Sequence, residues 1–160
     1  MRRTVLLLAT TALALLVSAG VALAVGDDVG AGVTKTCKTD CVGTTYPDTL
    51  KGTNVANRIE GLGGDESPTF GDIIQGFGGK DTLYGDAGGD RIEGGTGDDV
   101  IVGGSGENVL IGGSGNDLIN GGPTGDTIRV KDGYKDVVNC KGGNDTVQNR
   151  DPIDELNECR

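Results

Sequence analysis

From about Gly52 onward, one large aliphatic residue returns every nine positions. Ile74, Leu83, Ile92, Ile101, Leu110, Ile119 and Ile128 hold seven consecutive places at that spacing. Two residues before each stands a short polar side chain: Asp72, Asp81, Asp90, Asp99, Asn108, Asp117 and Asp126. A strict period of this length marks a repeat architecture rather than an ordinary amphipathic helix or strand. Each unit divides into a glycine-rich hexad and an apolar-centred triplet, as in Gly94-Gly-Thr-Gly-Asp-Asp followed by Val100-Ile101-Val102. The triplet predicts a short β-strand, its middle side chain inward and its neighbours outward. The hexad predicts a turn, where glycine takes positive φ at little steric cost. Two triplets and two hexads make one coil of 18 residues. Stacked coils align Ile92, Leu110 and Ile128 on one side and Leu83, Ile101 and Ile119 on the other. The predicted fold is all-β, a parallel β-roll or β-solenoid of nonapeptides.

The pattern weakens toward both ends. Asn57 and Ile59 fit an earlier unit, and the next is interrupted by a surface loop over Glu66 to Gly71. One residue is inserted after Arg129, and Asp136/Val138, Asp145/Val147 and Asp154/Leu156 then resume the columns. Degraded end units suit a solenoid, whose ideal terminus would expose an unpaired strand edge. These features divide the chain into residues 1–24, a lead-in and cap over 25–51, the repeat array over 52–148 and a C-terminal cap over 149–160. Arg2 and Arg3, the apolar run Val5 to Val17 and the small-x-small site Ala22-Leu23-Ala24 predict a cleaved secretory signal peptide. The expected setting is secreted or extracellular, with a cell-surface association also open and no membrane insertion after cleavage.

Composition narrows the functions. The 160 residues include 31 glycines, no tryptophan and no histidine, so a large aromatic core is ruled out. Removing residues 1–24 takes away two arginines and no acid, moving the net charge from −10 to −12. Such a surface disfavours nucleic acid and anionic membrane and favours a cation. Cys37, Cys41, Cys140 and Cys159 allow three disulfide pairings in an exported chain. Pairing Cys37 with Cys41 and Cys140 with Cys159 is favoured, because each pair lies at one end of the array. A zinc site is disfavoured by the absence of paired C-x-x-C spacing.

The stacking defines a chemical problem. Asp81, Asp99 and Asp117 fall in one column, and Asp72, Asp90 and Asp126 in another with Asn108 among them. Coils in a sheet lie about 4.8 Å apart, and like charges at roughly 5 Å repel by about 3 kcal/mol at an effective dielectric near 20. A divalent cation between turns turns that repulsion into attraction. The donors are all oxygen, carboxylate and carbonyl, on flexible turns; this suits Ca²⁺ over Mg²⁺ and over the softer transition metals. Binding is then coupled to folding, with roughly four to six ions expected because each needs two turns.

The units resemble the RTX (hemolysin-type) calcium-binding repeat, G-G-x-G-x-D-x-U-x, over roughly residues 52–148. Gly94–Val102 and Gly112–Asn120 match every defined position, Gly103–Ile111 departs at Asn108, Gly76–Tyr84 at Phe77 and Gly121–Arg129 at Thr124. The resemblance implies a parallel β-roll with Ca²⁺ held by the sixth-position side chains and turn carbonyls, among them those of Gly94, Gly97, Gly103, Gly106, Gly112 and Gly115. Asn108 is neutral, which implies weaker neighbouring sites. Many proteins of this type carry a catalytic or pore-forming domain ahead of the repeats. Only about 27 residues lie between the predicted cleavage site and the array, so those activities are not expected here. The expected function is a non-catalytic calcium-binding module with an adhesion or scaffold role and an unidentified protein or glycan partner. Val100, Val102, Val109 and Ile111 are candidates for a contact patch. A small calcium-dependent hydrolase is the first alternative, limited by the lack of histidine to carboxylate chemistry. An ice- or surface-binding solenoid is the second, although Thr82, Val100, Leu118 and Arg91, Val109, Thr127 form no threonine ladder.

Overall fold

The computed structural model describes residues 32–63 and 71–159. The predicted signal peptide lies outside the described residues, as does all of the predicted loop but Gly71. Fourteen short strands are present among the described residues. In chain order they begin with β1 (Thr34–Thr36), β2 (Asp40–Val42), β3 (Thr49–Lys51), β4 (Arg58–Glu60) and β5 (Ile73–Gly78). Next come β6 (Thr82–Tyr84), β7 (Arg91–Thr96), β8 (Val100–Val102), β9 (Val109–Ser114) and β10 (Leu118–Asn120). The last are β11 (Thr127–Arg129), β12 (Val137–Asn139), β13 (Thr146–Gln148) and β14 (Glu155–Asn157).

Odd-numbered strands form one seven-stranded sheet and even-numbered strands form the other, each in the order of the chain. Every pairing between strands is parallel. The chain therefore winds as a β-solenoid, visiting the two sheets alternately. Ile92 pairs with Leu110, and Leu110 with Ile128, while Leu83 pairs with Ile101, and Ile101 with Ile119. These are the two predicted columns.

A one-residue-in-three apolar pattern gives a core one side chain thick on each sheet. Leu50, Ile59, Ile74, Leu83, Ile92, Ile101, Leu110, Ile119, Ile128 and Val138 are all fully buried. The sheets reach beyond residues 52–148: β1 to β3 lie in the segment read as a lead-in, and β14 in the C-terminal segment. Leu50 is the reason at the first end, because it continues the Ile74 column. Both favoured disulfides are present, Cys37–Cys41 beside the first coil and Cys140–Cys159 across the last.

The outer faces differ. Val100 and Val102 lie on the even-numbered sheet and Val109 and Ile111 on the odd-numbered one, so the four do not form one patch. On the even-numbered sheet Asn139 Nδ2 donates to Asn120 Oδ1, and Asn157 Nδ2 to Asn139 Oδ1, each at 3.0 Å. Near the other end of that sheet the Arg58 guanidinium stacks over the Tyr84 ring at 4.8 Å. Ile101 is buried between paired neighbours on both sides, so Ile101→Ala removes contacts that no other layer replaces. It is expected to cost about 2–5 kcal/mol by denaturant unfolding under conditions where the wild-type chain is folded, against less than about 1 kcal/mol for the outward-facing Val100→Ala.

Candidate metal centre

The hexads stack into two turn columns, one along each edge of the roll. The glycine at the fourth position is required by its backbone: Gly97 adopts φ +128°, and a Cβ there would collide with the Gly79 carbonyl of the coil before. At the second position Phe77 and Asp86 take the same left-handed region at φ 74° and 68°, so the turn geometry prevails over side-chain preference. The strands β5, β7 and β9 run on into this turn, pairing Phe77 with Gly95 and Gly95 with Gly113.

At the end of each turn the sixth-position side chain folds inward. Asp48, Asp72, Asp90, Asn108 and Asp126 form one buried column, and Asn57, Asp81, Asp99, Asp117 and Asp136 the other. The structure divides each carboxylate between two duties. Its Oδ1 accepts the backbone N–H of the equivalent residue one coil earlier: Asp72 N–H donates to Asp90 Oδ1 at 2.7 Å, Asp81 to Asp99 at 2.8 Å and Asp99 to Asp117 at 2.9 Å. The same link joins Asp117 to Asp136 and Asp126 to Asp145. The other oxygen has no protein partner. Oδ2 of Asp72, Asp81, Asp90, Asp99, Asp117, Asp126 and Asp136 is buried and accepts no hydrogen bond.

A buried carboxylate oxygen without a donor is costly, so these seven atoms define what the column lacks. The first-position glycines show where it would go. A methyl group built on Gly94 would lie 2.5 Å from Asp99 Oδ2 and 2.5 Å from the Gly112 carbonyl oxygen of the next coil. At Gly76 the same space is bounded by Asp81 Oδ2 and the Gly94 carbonyl, and at Gly85 by Asp90 Oδ2 and the Gly103 carbonyl. At these three steps glycine keeps a cradle of converging oxygens open. Among the described residues no group of three or more His, Cys, Asp or Glu side chains converges. A cation here takes few carboxylate oxygens per step, and the remaining donors must be backbone carbonyls. That donor set fits a hard, oxygen-seeking ion such as Ca²⁺. Such an ion would supply the positive charge that the orphaned oxygens lack, held by the sixth-position aspartates and the carbonyls facing them.

Burial dominates the acidity of these groups. It raises Asp72 and Asp99 to about 6, and Asp90, Asp117 and Asp136 to about 7, against 3.8 for the free side chain. The backbone N–H on Oδ1 opposes the rise, and the neighbouring carboxylates add to it. Asp81 and Asp126 are raised for the same leading reason.

Not every rung is alike. Asp48 is fully partnered: Oδ1 accepts from Val33 N–H at 2.5 Å and from the Thr44 hydroxyl at 3.2 Å, and Oδ2 accepts from Thr44 N–H at 2.5 Å. Sequence reasoning left Asp48 out of the column and did not count Asp136 among the ligands. The signal for Asp48 was its nine-residue spacing to Asn57, paired with Leu50 to Ile59. Asn108 Nδ2 occupies the place of an aspartate Oδ2 and donates to the Gly106 carbonyl at 2.9 Å. The N–H groups of Gly97 and Gly115 link turns along the roll, Gly97 N–H to the Ser114 carbonyl at 2.7 Å and Gly115 N–H to Asp132 Oδ2 at 2.8 Å.

Parallel coils of nonapeptides with inward acidic columns and glycine cradles define a calcium-binding β-roll of the repeat type. The chain belongs to the RTX calcium-binding nonapeptide repeat family: four copies of that repeat match residues 42–67, 70–92 and 93–128, together more than half of its length. No curated protein and no solved structure shows significant similarity to it.

The raised pKa values set opposite pH responses with and without metal. In the metal-free chain the folded state holds protons that the unfolded state, near 3.8, has already released. This contribution to stability is complete below about pH 4 and is lost as the pH rises through 6 to 7. With calcium bound the carboxylates must be ionised, so acid displaces the ion. Thermal melts followed by circular dichroism between pH 8 and 5 are expected to show acid stabilising the chain in chelator and destabilising it in millimolar calcium. A shift in the same direction under both conditions would contradict the assignment of these seven oxygens.

Proposed function

We propose that the chain is an exported, non-catalytic calcium-binding solenoid whose coils close as Ca²⁺ fills the spaces between turns. The observation that carries this reading is the set of seven buried Oδ2 atoms without donors, repeated at one place per turn in both columns. A thin core cannot offset that many uncompensated carboxylates, since the net stability of a domain is only about 5–15 kcal/mol. Calcium at extracellular concentrations would hold the roll shut, and a calcium-poor cytoplasm would leave it open before export. The two sheets then serve as rigid outer faces for an adhesion or scaffold role.

The lack of histidine in all 160 residues supports the non-catalytic reading over a hydrolase, because the usual general base and triad member is missing. The buried aspartates are already committed to backbone N–H groups by one oxygen, which leaves them poorly placed as a glycosidase pair. An ice-binding face is disfavoured by the outward column Asp40, Arg58, Thr82, Val100, Leu118, Val137 and Glu155, which mixes charges with apolar groups.

Circular dichroism during a Ca²⁺ titration, repeated with Mg²⁺, tests the proposal. A large gain of β signal with calcium alone is expected. Asp99→Ala removes one orphaned oxygen and the acceptor for Asp81 N–H. It should move the calcium midpoint upward severalfold. A chain that keeps its full β signal and thermal resistance in excess chelator would refute the reading.

A further inference from the structure

Two departures from the nonapeptide, 16 residues apart in the chain, meet across a single step of the column that holds Asp72, Asp90, Asn108 and Asp126. Asn108 replaces the aspartate of one turn, and Thr124 replaces the fourth-position glycine of the turn above it. Asn108 Oδ1 accepts the Asp90 backbone N–H at 2.9 Å, the same bond that Asp90, Asp99, Asp117 and Asp126 make with Oδ1. That bond places Nδ2 in the cradle. There Nδ2 donates to the Gly106 carbonyl at 2.9 Å and to Asp126 Oδ1 at 3.0 Å. The Thr124 hydroxyl donates to the same Gly106 carbonyl at 2.6 Å and accepts Gly106 N–H at 3.2 Å.

The Gly106 carbonyl and Asp126 Oδ1 are therefore already bonded to N–H and O–H groups at this step. The space itself is wider. A methyl group on Gly103 would sit 2.9 Å from Asn108 Nδ2 and 3.3 Å from the Gly121 carbonyl, against 2.5 Å and 2.5 Å for the corresponding atoms at Gly94. A cation placed there would face the amide hydrogens, with the Gly106 carbonyl already taken. We propose that this step takes no calcium: Asn108 and Thr124 form an all-protein rung that stands in for an ion and divides the column into two separately loaded segments. Asp72 and Asp90 lie on one side of the rung and Asp126 on the other.

The proposal rests on the calcium reading above, and the test separates the two. Calcium bound per intact, disulfide-bonded chain at saturation is counted by native mass spectrometry. Asn108→Asp, alone and combined with Thr124→Gly, is expected to take up one ion more than the wild-type chain, while Asp99→Asn takes up fewer. The wild-type count in both Asn108 variants overturns the rung. If the wild-type chain is folded but binds no calcium, the calcium reading fails and the rung is judged by melting in chelator. Asn108→Asp must then lower the midpoint, because it removes two donors and adds an orphaned oxygen, and an unchanged midpoint overturns the proposal. A chain unfolded both with and without calcium overturns both.

Discussion

Each sixth-position carboxylate faces a backbone N–H on one side and a space walled by oxygens on the other. The N–H is supplied by the preceding coil, so Oδ1 ties the roll together along its axis at every step. The second oxygen of Asp72, Asp81, Asp90, Asp99, Asp117, Asp126 and Asp136 receives nothing from the protein. Fold and ligand are thereby joined in one functional group: the same side chain that aligns the coils also creates the unmet electrostatic demand. Replacing the side chain by an aliphatic one would remove the demand and lose the alignment. Such coupling explains why acidic residues recur at a buried position, where charged side chains are otherwise rare.

The aliphatic ladder plays the complementary part. From β3 to β12 one fully buried side chain per triplet sets register, because a slip of one residue would turn Ile101 outward and bring Val100 or Val102 in. It does so over a cross-section only two side chains wide. Strand pairing joins each coil to its immediate neighbours alone. Stability in such an array is nearly a sum of nearest-neighbour terms, and the character of each step is set locally. Asp99 and Asn108 illustrate this. They stand in adjacent turns with almost the same backbone, yet one leaves an oxygen orphaned and the other closes its own hydrogen bonds.

The central coils were legible because Asp and Ile keep strict phase from residue 72 to 128, and the two-column stacking follows from an 18-residue coil. The N-terminal coils were hidden for a definite reason. Six residues are added to one coil, so Asp48 N–H reaches Asp72 across 24 residues rather than 18, and Asn57 reaches Asp81 across the same interval. The turn before Asp48 also has only one glycine, Gly43, with Tyr46 and Pro47 in its place of flexibility. The division of labour within each carboxylate was not legible at all. It depends on which way the preceding coil's N–H points, which no spacing encodes. The partnership of Asn108 with Thr124 was visible only as two separate irregularities until the winding set them face to face.

The two disulfides close loops of very different size. Cys37–Cys41 spans 4 residues and encloses little more than a bend, whereas Cys140–Cys159 spans 19 and encloses β13 and β14 entirely. When β14 peels from β12, its far end stays tethered, and the freed segment gains only the entropy of a closed ring. The first coil has no such tether. Unravelling under tension or heat is therefore directional, starting at β1 and β2 and running toward a covalently hooped end that gives way last.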